Sequence, residues 1–138
     1  MNGSQLNILL VEDDEVDIMN VKRAFKKNHI ANPLFVAGNG IEALQMLRSG
    51  SIPIERRLVL LDLNMPRMNG IEFLRAVRAD PELRSLVVVV LTTSNNDRDR
   101  IDAYDLNIAG YLVKPVTFAD FSNLMVTLDK YWTIVQMP

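Results

Sequence analysis

Leu60-Leu61-Asp62-Leu63-Asn64-Met65-Pro66 decides how this chain folds. An apolar run over residues 58–61 ends on a carboxylate and breaks at once into a turn carrying Pro66. Continuous rather than alternating apolar character suits a strand covered on both faces, as in a parallel sheet. Three other runs end the same way. Ile8-Leu9-Leu10-Val11 leads into Glu12-Asp13-Asp14, Leu86-Val87-Val88-Val89-Val90-Leu91 into Thr92, and Gly110-Tyr111-Leu112-Val113 into Lys114-Pro115. Parallel strands deliver their C-terminal ends to one edge of a sheet, where ligands of open α/β folds bind. Carboxylates, a hydroxyl and an ammonium gathered there can hold a divalent metal and a phosphoryl group.

Working outward, apolar runs lie around residues 6–11, 34–37, 58–61, 86–91 and 109–113, and stretches with helical spacing separate them. Ile18, Val21 and Phe25 fall at i, i+3, i+7 and leave Lys22, Lys26 and Lys27 for solvent. Asn39-Gly40-Ile41-Glu42 and Asn69-Gly70-Ile71-Glu72 repeat one tetrapeptide. Each predicts a helix start, with Asn as N-cap and Glu near the positive end of the helix dipole. Thr117 with Asp120 resembles the same arrangement for the last helix. Strands alternating with helices make a (βα)5 chain, and right-handed crossovers then require a doubly wound sheet. The order 2-1-3-4-5 fits best, and it brings Glu12, Asp13 and Asp62 together at the switch point between strands 1 and 3. Thr92 and Lys114 then approach from one side.

The totals narrow the function. A length of 138 residues is one domain's worth. The net charge of −2 argues against nucleic acid as the main partner, since phosphate binding usually shows as a basic surplus. Zero cysteines exclude disulfides, a thiol nucleophile and a Cys zinc site. No apolar stretch approaches the ~20 residues that span a bilayer, and no basic segment followed by an apolar one opens the chain. A soluble, cytoplasmic, single-domain protein without membrane contact is expected.

Three clustered carboxylates repel one another, which favours their holding a cation. Oxygen ligands with no His or Cys nearby point to a hard ion, and Mg²⁺ uses one or two carboxylates while keeping several waters. The one histidine, His29, falls at the end of the first helix, away from the strand tips, and reads as an inert surface residue. Asp62 is then a candidate nucleophile, since a carboxylate can attack a phosphoryl group to give an acyl phosphate. The metal, the Lys114 ammonium and the Thr92 hydroxyl supply the positive charge and donors that the transferring oxygens need. Taken singly, each residue has an ordinary reading as a cap, a turn or a pre-proline residue. It is their placement at successive strand ends that turns them into a site.

Over residues ~6–130 the sequence resembles the receiver domain of two-component response regulators, in the single-domain form known from chemotaxis. The resemblance rests on Glu12-Asp13, on Asp62-Leu63-Asn64-Met65-Pro66-Arg67-Met68-Asn69-Gly70, on Thr92 and on Tyr111-Leu112-Val113-Lys114-Pro115. It implies a flavodoxin-like fold and transfer of phosphate to Asp62 from a sensor histidine kinase. It further implies Mg²⁺ held by Asp13 directly, by Glu12 through water, by Asp62, and by the backbone carbonyl of Asn64. Asp14, one position past the pair, is expected at the surface. Thr92 and Tyr111 resemble the family's switch pair, and Lys114-Pro115 resembles its cis peptide. The chain is expected to be no enzyme beyond accepting and losing phosphate on its own Asp62.

The last helix carries two apolar stripes: Phe118, Phe121, Met125, Leu128, Trp132, and Leu124, Tyr131, Val135. One stripe suffices to pack a helix on a sheet, so the surplus, with Tyr131 and Trp132, predicts a homodimer interface on this helix. The ending, residues 131–138, also resembles the tail of the small regulators paired with phytochromes, and that resemblance implies a dimer through strand 5 and the last helices. A receiver spanning 1–138, with a helical extension to 138 and no output domain, is expected to act by binding a downstream protein or by passing phosphate on. The basic face of Lys22, Arg23, Lys26 and Lys27 reads as solvated, or as a place for the kinase. A haloacid-dehalogenase-like phosphatase would need a second Asp at position 64, which is Asn. A pseudo-receiver that binds without phosphate would lack a pocket residue, and none is missing.

Overall fold

The computed structural model describes residues 5–135. Strands β1 (Asn7–Val11), β2 (Leu34–Ala37), β3 (Arg57–Leu61), β4 (Val87–Thr92) and β5 (Gly110–Val113) alternate with helices α1 (Glu15–Lys27), α2 (Gly40–Ser49), α3 (Gly70–Ala79), α4 (Asp97–Asp105) and α5 (Phe118–Ile134). The strands pair in parallel in the order β2-β1-β3-β4-β5. Side chains alternate across the pleat, so each central strand feeds two cores. Leu9, Val11, Val59, Leu61, Val88 and Val90 face α2, α3 and α4. Ile8, Leu10, Leu58, Leu60, Val89 and Leu91 face α1 and α5. Burial on both faces is why these three strands read as unbroken apolar runs. β2 and β5 are edges and are mostly half-buried.

Local chemistry starts the helices where the sequence predicts. Asn69 accepts from the Glu72 amide and the Glu72 carboxylate accepts from the Asn69 amide, a complete capping box for α3. The sister tetrapeptide forms only half of it. Asn39 accepts from the Glu42 amide, but Glu42 Oε1 turns to the Gly38 N–H at 2.5 Å. Asp14 is exposed, as expected, and caps α1 through bonds from Val16 and Asp17 amides. Thr117 caps α5 by accepting from the Asp120 amide at 3.2 Å.

α4 is the helix with the fewest buried residues, burying only Ala103. Its C-terminal end is pinned from α3 by Arg78, whose guanidinium donates to the carbonyls of Leu106, Asn107, Arg84 and Leu86. The Leu106 carbonyl, at the C-cap of α4, is one that a helix end leaves open, while those of Arg84 and Leu86 belong to the loop before β4.

Two expectations are corrected. Trp132 does not belong to a surplus stripe: it is 2% exposed and packs in the α1–α5 core. Its ring lies 6.1 Å from that of Phe25, and its Nε1–H donates to Asp129 Oδ1 at 2.9 Å. At seventeen residues α5 outruns β5 and covers the far end of α1, which gives the indole a place inside. The Lys114-Pro115 peptide is trans, since no cis bond occurs among the described residues. Trans is also the form that X–Pro bonds favour by about 0.5–1 kcal/mol. Residues 136–138 of the phytochrome-like tail lie outside the described residues.

Candidate functional site

Glu12 follows β1, Asp62 follows β3, Thr92 ends β4 and Lys114 follows β5, so one sheet edge presents all four. Gly70 sets the depth of the site. A Cβ there would lie 2.6 Å from the Asp62 carbonyl oxygen and 2.7 Å from Leu63 Cα. Only glycine lets the first turn of α3 press onto the backbone beside Asp62, where the Gly70 N–H donates to Leu63 O at 3.1 Å.

The Asp62 carboxylate is buried and divided in its contacts. Oδ1 accepts from the Thr92 hydroxyl at 2.7 Å and from the Asn64 amide at 3.2 Å. Oδ2 faces the Lys114 ammonium at 3.6 Å. Thr92 is fully buried, so this hydroxyl has no water to fall back on. Asn64 and Asp13 are exposed at the rim.

Glu12 is 1% exposed yet polar on every side. Oε1 accepts from Lys114 Nζ at 2.5 Å and Oε2 from the Asp14 amide at 3.1 Å. Burial, with the Asp62 charge adding to it and Lys114 opposing, pushes the Glu12 carboxyl up to about 7. Burial alone would favour neutral Lys114, but its hydrogen bonds to Asp17 and Glu12 and the charges of Asp62 and Glu12 outweigh that and raise its pKa.

Carboxylate oxygens of Glu12, Asp13 and Asp62 lie within 4.8 Å of one another. Three hard oxygen donors at one rim, two of them buried against low-dielectric walls, fit a small divalent cation. The fold therefore gathers the three carboxylates of the expected ligand set, with Asp13 exposed at the rim.

Tyr111 is half-buried on β5, and its hydroxyl donates to Ser94 O at 2.9 Å. The Ser94 amide in turn donates to Thr92 Oγ1 at 3.3 Å, so the ring is linked to Asp62 through two residues. Sequence reasoning missed Ser94 as this link. It also missed Asp17, whose Oδ2 accepts from Lys114 Nζ at 2.8 Å. Asp17 stands in the first turn of α1, and helical side chains point back toward the N-terminus, so its helix phase aimed it at the strand tips. His29 is exposed at the end of α1, remote from these groups in the chain's topology.

Among the described residues, no helix is long and apolar enough to cross a membrane. Comparison with known proteins extends the picture. The probable methanogenesis regulatory protein FilR2 of Methanothrix harundinacea is 37% identical over 130 residues, which cover 91% of this chain and 82% of that protein. Response regulator Rcp1 of Synechocystis is 35% identical over 128 residues, covering 91% of this chain and 87% of that one. The Mn(2+)-bound form of response regulator Rcp1 aligns with a TM-score of 0.84 at 34% identity, over 96% of this chain and 99% of that one. The phosphorylated cyanobacterial phytochrome response regulator RcpA aligns with a TM-score of 0.86 at 31% identity, over 97% and 99%. The family profile described as the response regulator receiver domain matches residues 8–125, a span that reaches from β1 into α5 and takes in every residue of the acidic pocket. The chain belongs to the response regulator receiver domain family.

Proposed function

We propose that this chain is a phosphorylation-switched signalling module whose acceptor is Asp62. The observation that carries the proposal is the setting of that carboxylate: Thr92 and the Asn64 amide on one oxygen, Lys114 toward the other, Glu12 and Asp13 alongside. In the transfer, an Asp62 oxygen bonds to phosphorus as the phosphorus–nitrogen bond of a kinase phosphohistidine breaks, and the electron pair stays on the imidazole. Lys114 and Thr92 stand where phosphoryl oxygens need a cation and a donor. Glu12, Asp13, Asp62 and the Asn64 carbonyl would hold Mg²⁺, which supplies charge neutralisation for the approaching phosphoryl group. In this reading the protein is no enzyme toward other substrates.

The sensor histidine kinase is assigned to α1. That helix exposes Val16 and Met19 ahead of Lys22, Lys26 and Lys27, an apolar and basic face suited to another helix pair. The output is a change in binding to a downstream protein, or onward transfer of phosphate, in the cytoplasm. A kinase of the phytochrome type is favoured by the likeness to RcpA and Rcp1. A homodimer through β5 and α5 is supported by an apolar groove lined by Leu112, Leu124, Leu128 and Tyr131 beside the open strand edge.

The decisive test is phosphorylation by acetyl phosphate with Mg²⁺, mapped by mass spectrometry. Wild type takes one phosphoryl group on Asp62, and Asp62→Asn takes none, because an amide is no nucleophile. Equal labelling of Asp62→Asn on another carboxylate would falsify the assignment.

A further inference from the structure

Asp17, in the first turn of α1, reaches the acceptor pocket through Lys114, yet the acceptor reading gives it no task. Its Oδ2 lies 2.8 Å from Lys114 Nζ, whereas Asp62 Oδ2 lies at 3.6 Å. The ammonium has three donors, and two are committed to Glu12 and Asp17. Its contact with Asp62 is longer than a hydrogen bond. The cation is thus held toward the α1 side of the pocket. The Asp17 backbone is fixed there, since its N–H donates to the Asp14 cap at 3.1 Å.

We propose that Asp17 is a positioning residue that tethers Lys114 away from Asp62 and so slows phosphoryl acceptance. The inference rests on Asp62 being the acceptor. As an Asp62 oxygen bonds to phosphorus and the donor's phosphorus–oxygen bond breaks, acetate leaves with the electron pair and negative charge accumulates beside Asp62. Lys114 must then move toward the phosphoryl oxygens and give up one existing partner. The Glu12 contact is the harder one to open, because its side chain is only 2% exposed and water cannot take the ammonium's place there. The Asp17 side chain is 29% exposed, so water replaces the ammonium there. Asp17 is the contact that yields, and breaking it adds to the barrier.

The test compares wild type, Asp17→Asn, Glu15→Gln, Lys114→Ala and the double variant Asp17→Asn/Lys114→Ala. Acetyl phosphate with Mg²⁺ is the donor, and the phosphoprotein is followed by quenched-flow mass spectrometry. Asp17→Asn preserves shape and should accept phosphate about three- to tenfold faster, the range for one charge-assisted hydrogen bond discounted for exposure. Glu15→Gln removes the same charge from the same exposed turn without touching Lys114 and should match wild type. Without Lys114, Asp17→Asn should change nothing. A rate for Asp17→Asn at or below wild type, a matching acceleration by Glu15→Gln, or acceleration that persists without Lys114 would overturn the tether. The ¹⁵N signal of the Lys114 ammonium, read without any donor, should shift in Asp17→Asn and stay put in Glu15→Gln. An unshifted signal overturns the tether by itself, while a shifted signal in a protein that never labels Asp62 condemns the acceptor reading instead.

Discussion

The Thr92 hydroxyl donates to Asp62 Oδ1 at 2.7 Å, so the residue that ends β4 is tied to the carboxylate after β3. A phosphoryl group on Asp62 offers that hydroxyl new acceptors. On the proposed reading a shift of Thr92 would be felt by Ser94, whose amide donates to it, and by Tyr111, whose hydroxyl donates to Ser94 O. Switches of this kind are local charge changes that bias a two-state element. α4 follows directly and has few buried anchors, so this coupling would lead into the helix with least to resist it.

Thr92→Ala should therefore still take phosphate on Asp62 but lose the phosphate-dependent gain in partner or dimer affinity. The lost buried hydrogen bond should also cost about 1–2 kcal/mol of stability. Urea unfolding and binding of the phosphorylated and free forms measure the two effects. A variant that keeps the wild-type gain in affinity removes Thr92 from the switch.

The Glu12 carboxyl, pushed up to about 7 in the metal-free protein, makes two pH predictions, one for stability and one for cation binding. The native state holds this proton more tightly than the unfolded chain, where the carboxyl titrates near its ordinary 4.5. The stability it contributes is thus full below that value and is lost as pH rises through about 7. Cation binding runs the other way, because the ligand must be deprotonated. Calorimetric Mg²⁺ affinity should rise between about pH 6 and about pH 8, and Glu12→Gln should flatten that rise. A pH-independent affinity in wild type would show that Glu12 takes no part.

Gly70→Ala should distort the acceptor loop, since the new Cβ meets backbone at 2.6 Å and 2.7 Å rather than a yielding side chain. Overpacking of this kind costs about 1–3 kcal/mol. Because the displaced atoms belong to Asp62 and Leu63, acceptance of phosphate should slow together with the loss of stability. Normal kinetics in a destabilised variant would mean that α3 can shift without moving the carboxylate.

Trp132→Ala and Tyr131→Ala should separate folding from assembly. Trp132 fills the core against Phe25, so its truncation should cost about 3–5 kcal/mol of stability. Tyr131 is half-buried beside the β5 groove, and its truncation should spare the fold while weakening self-association by about 2 kcal/mol. Sedimentation equilibrium beside urea unfolding distinguishes them. Wild type that stays monomeric at high concentration, with Asp62 free or phosphorylated, rules the dimer out.

What the sequence by itself determined is the (βα)5 order and the identity of the groups at the strand tips. Both follow from local rules: a strand covered on two faces must be apolar throughout, as in residues 58–61 and 86–91, and a helix start needs a capping side chain such as Asn39 or Asn69. Once the strand order is set, Glu12, Asp62, Thr92 and Lys114 can only meet at one edge. Tertiary structure alone decided how those groups divide their partners. Lys114 lies 97 residues from Asp17, and the preference of its ammonium for Asp17 over Asp62 depends on fractions of an ångström that no periodicity encodes. The fate of Trp132 was likewise undecidable from helical spacing, which counts apolar residues but not the surface available to cover them. The length of α5 relative to β5, and the position of Phe25 beneath it, turned an apparent contact residue into core.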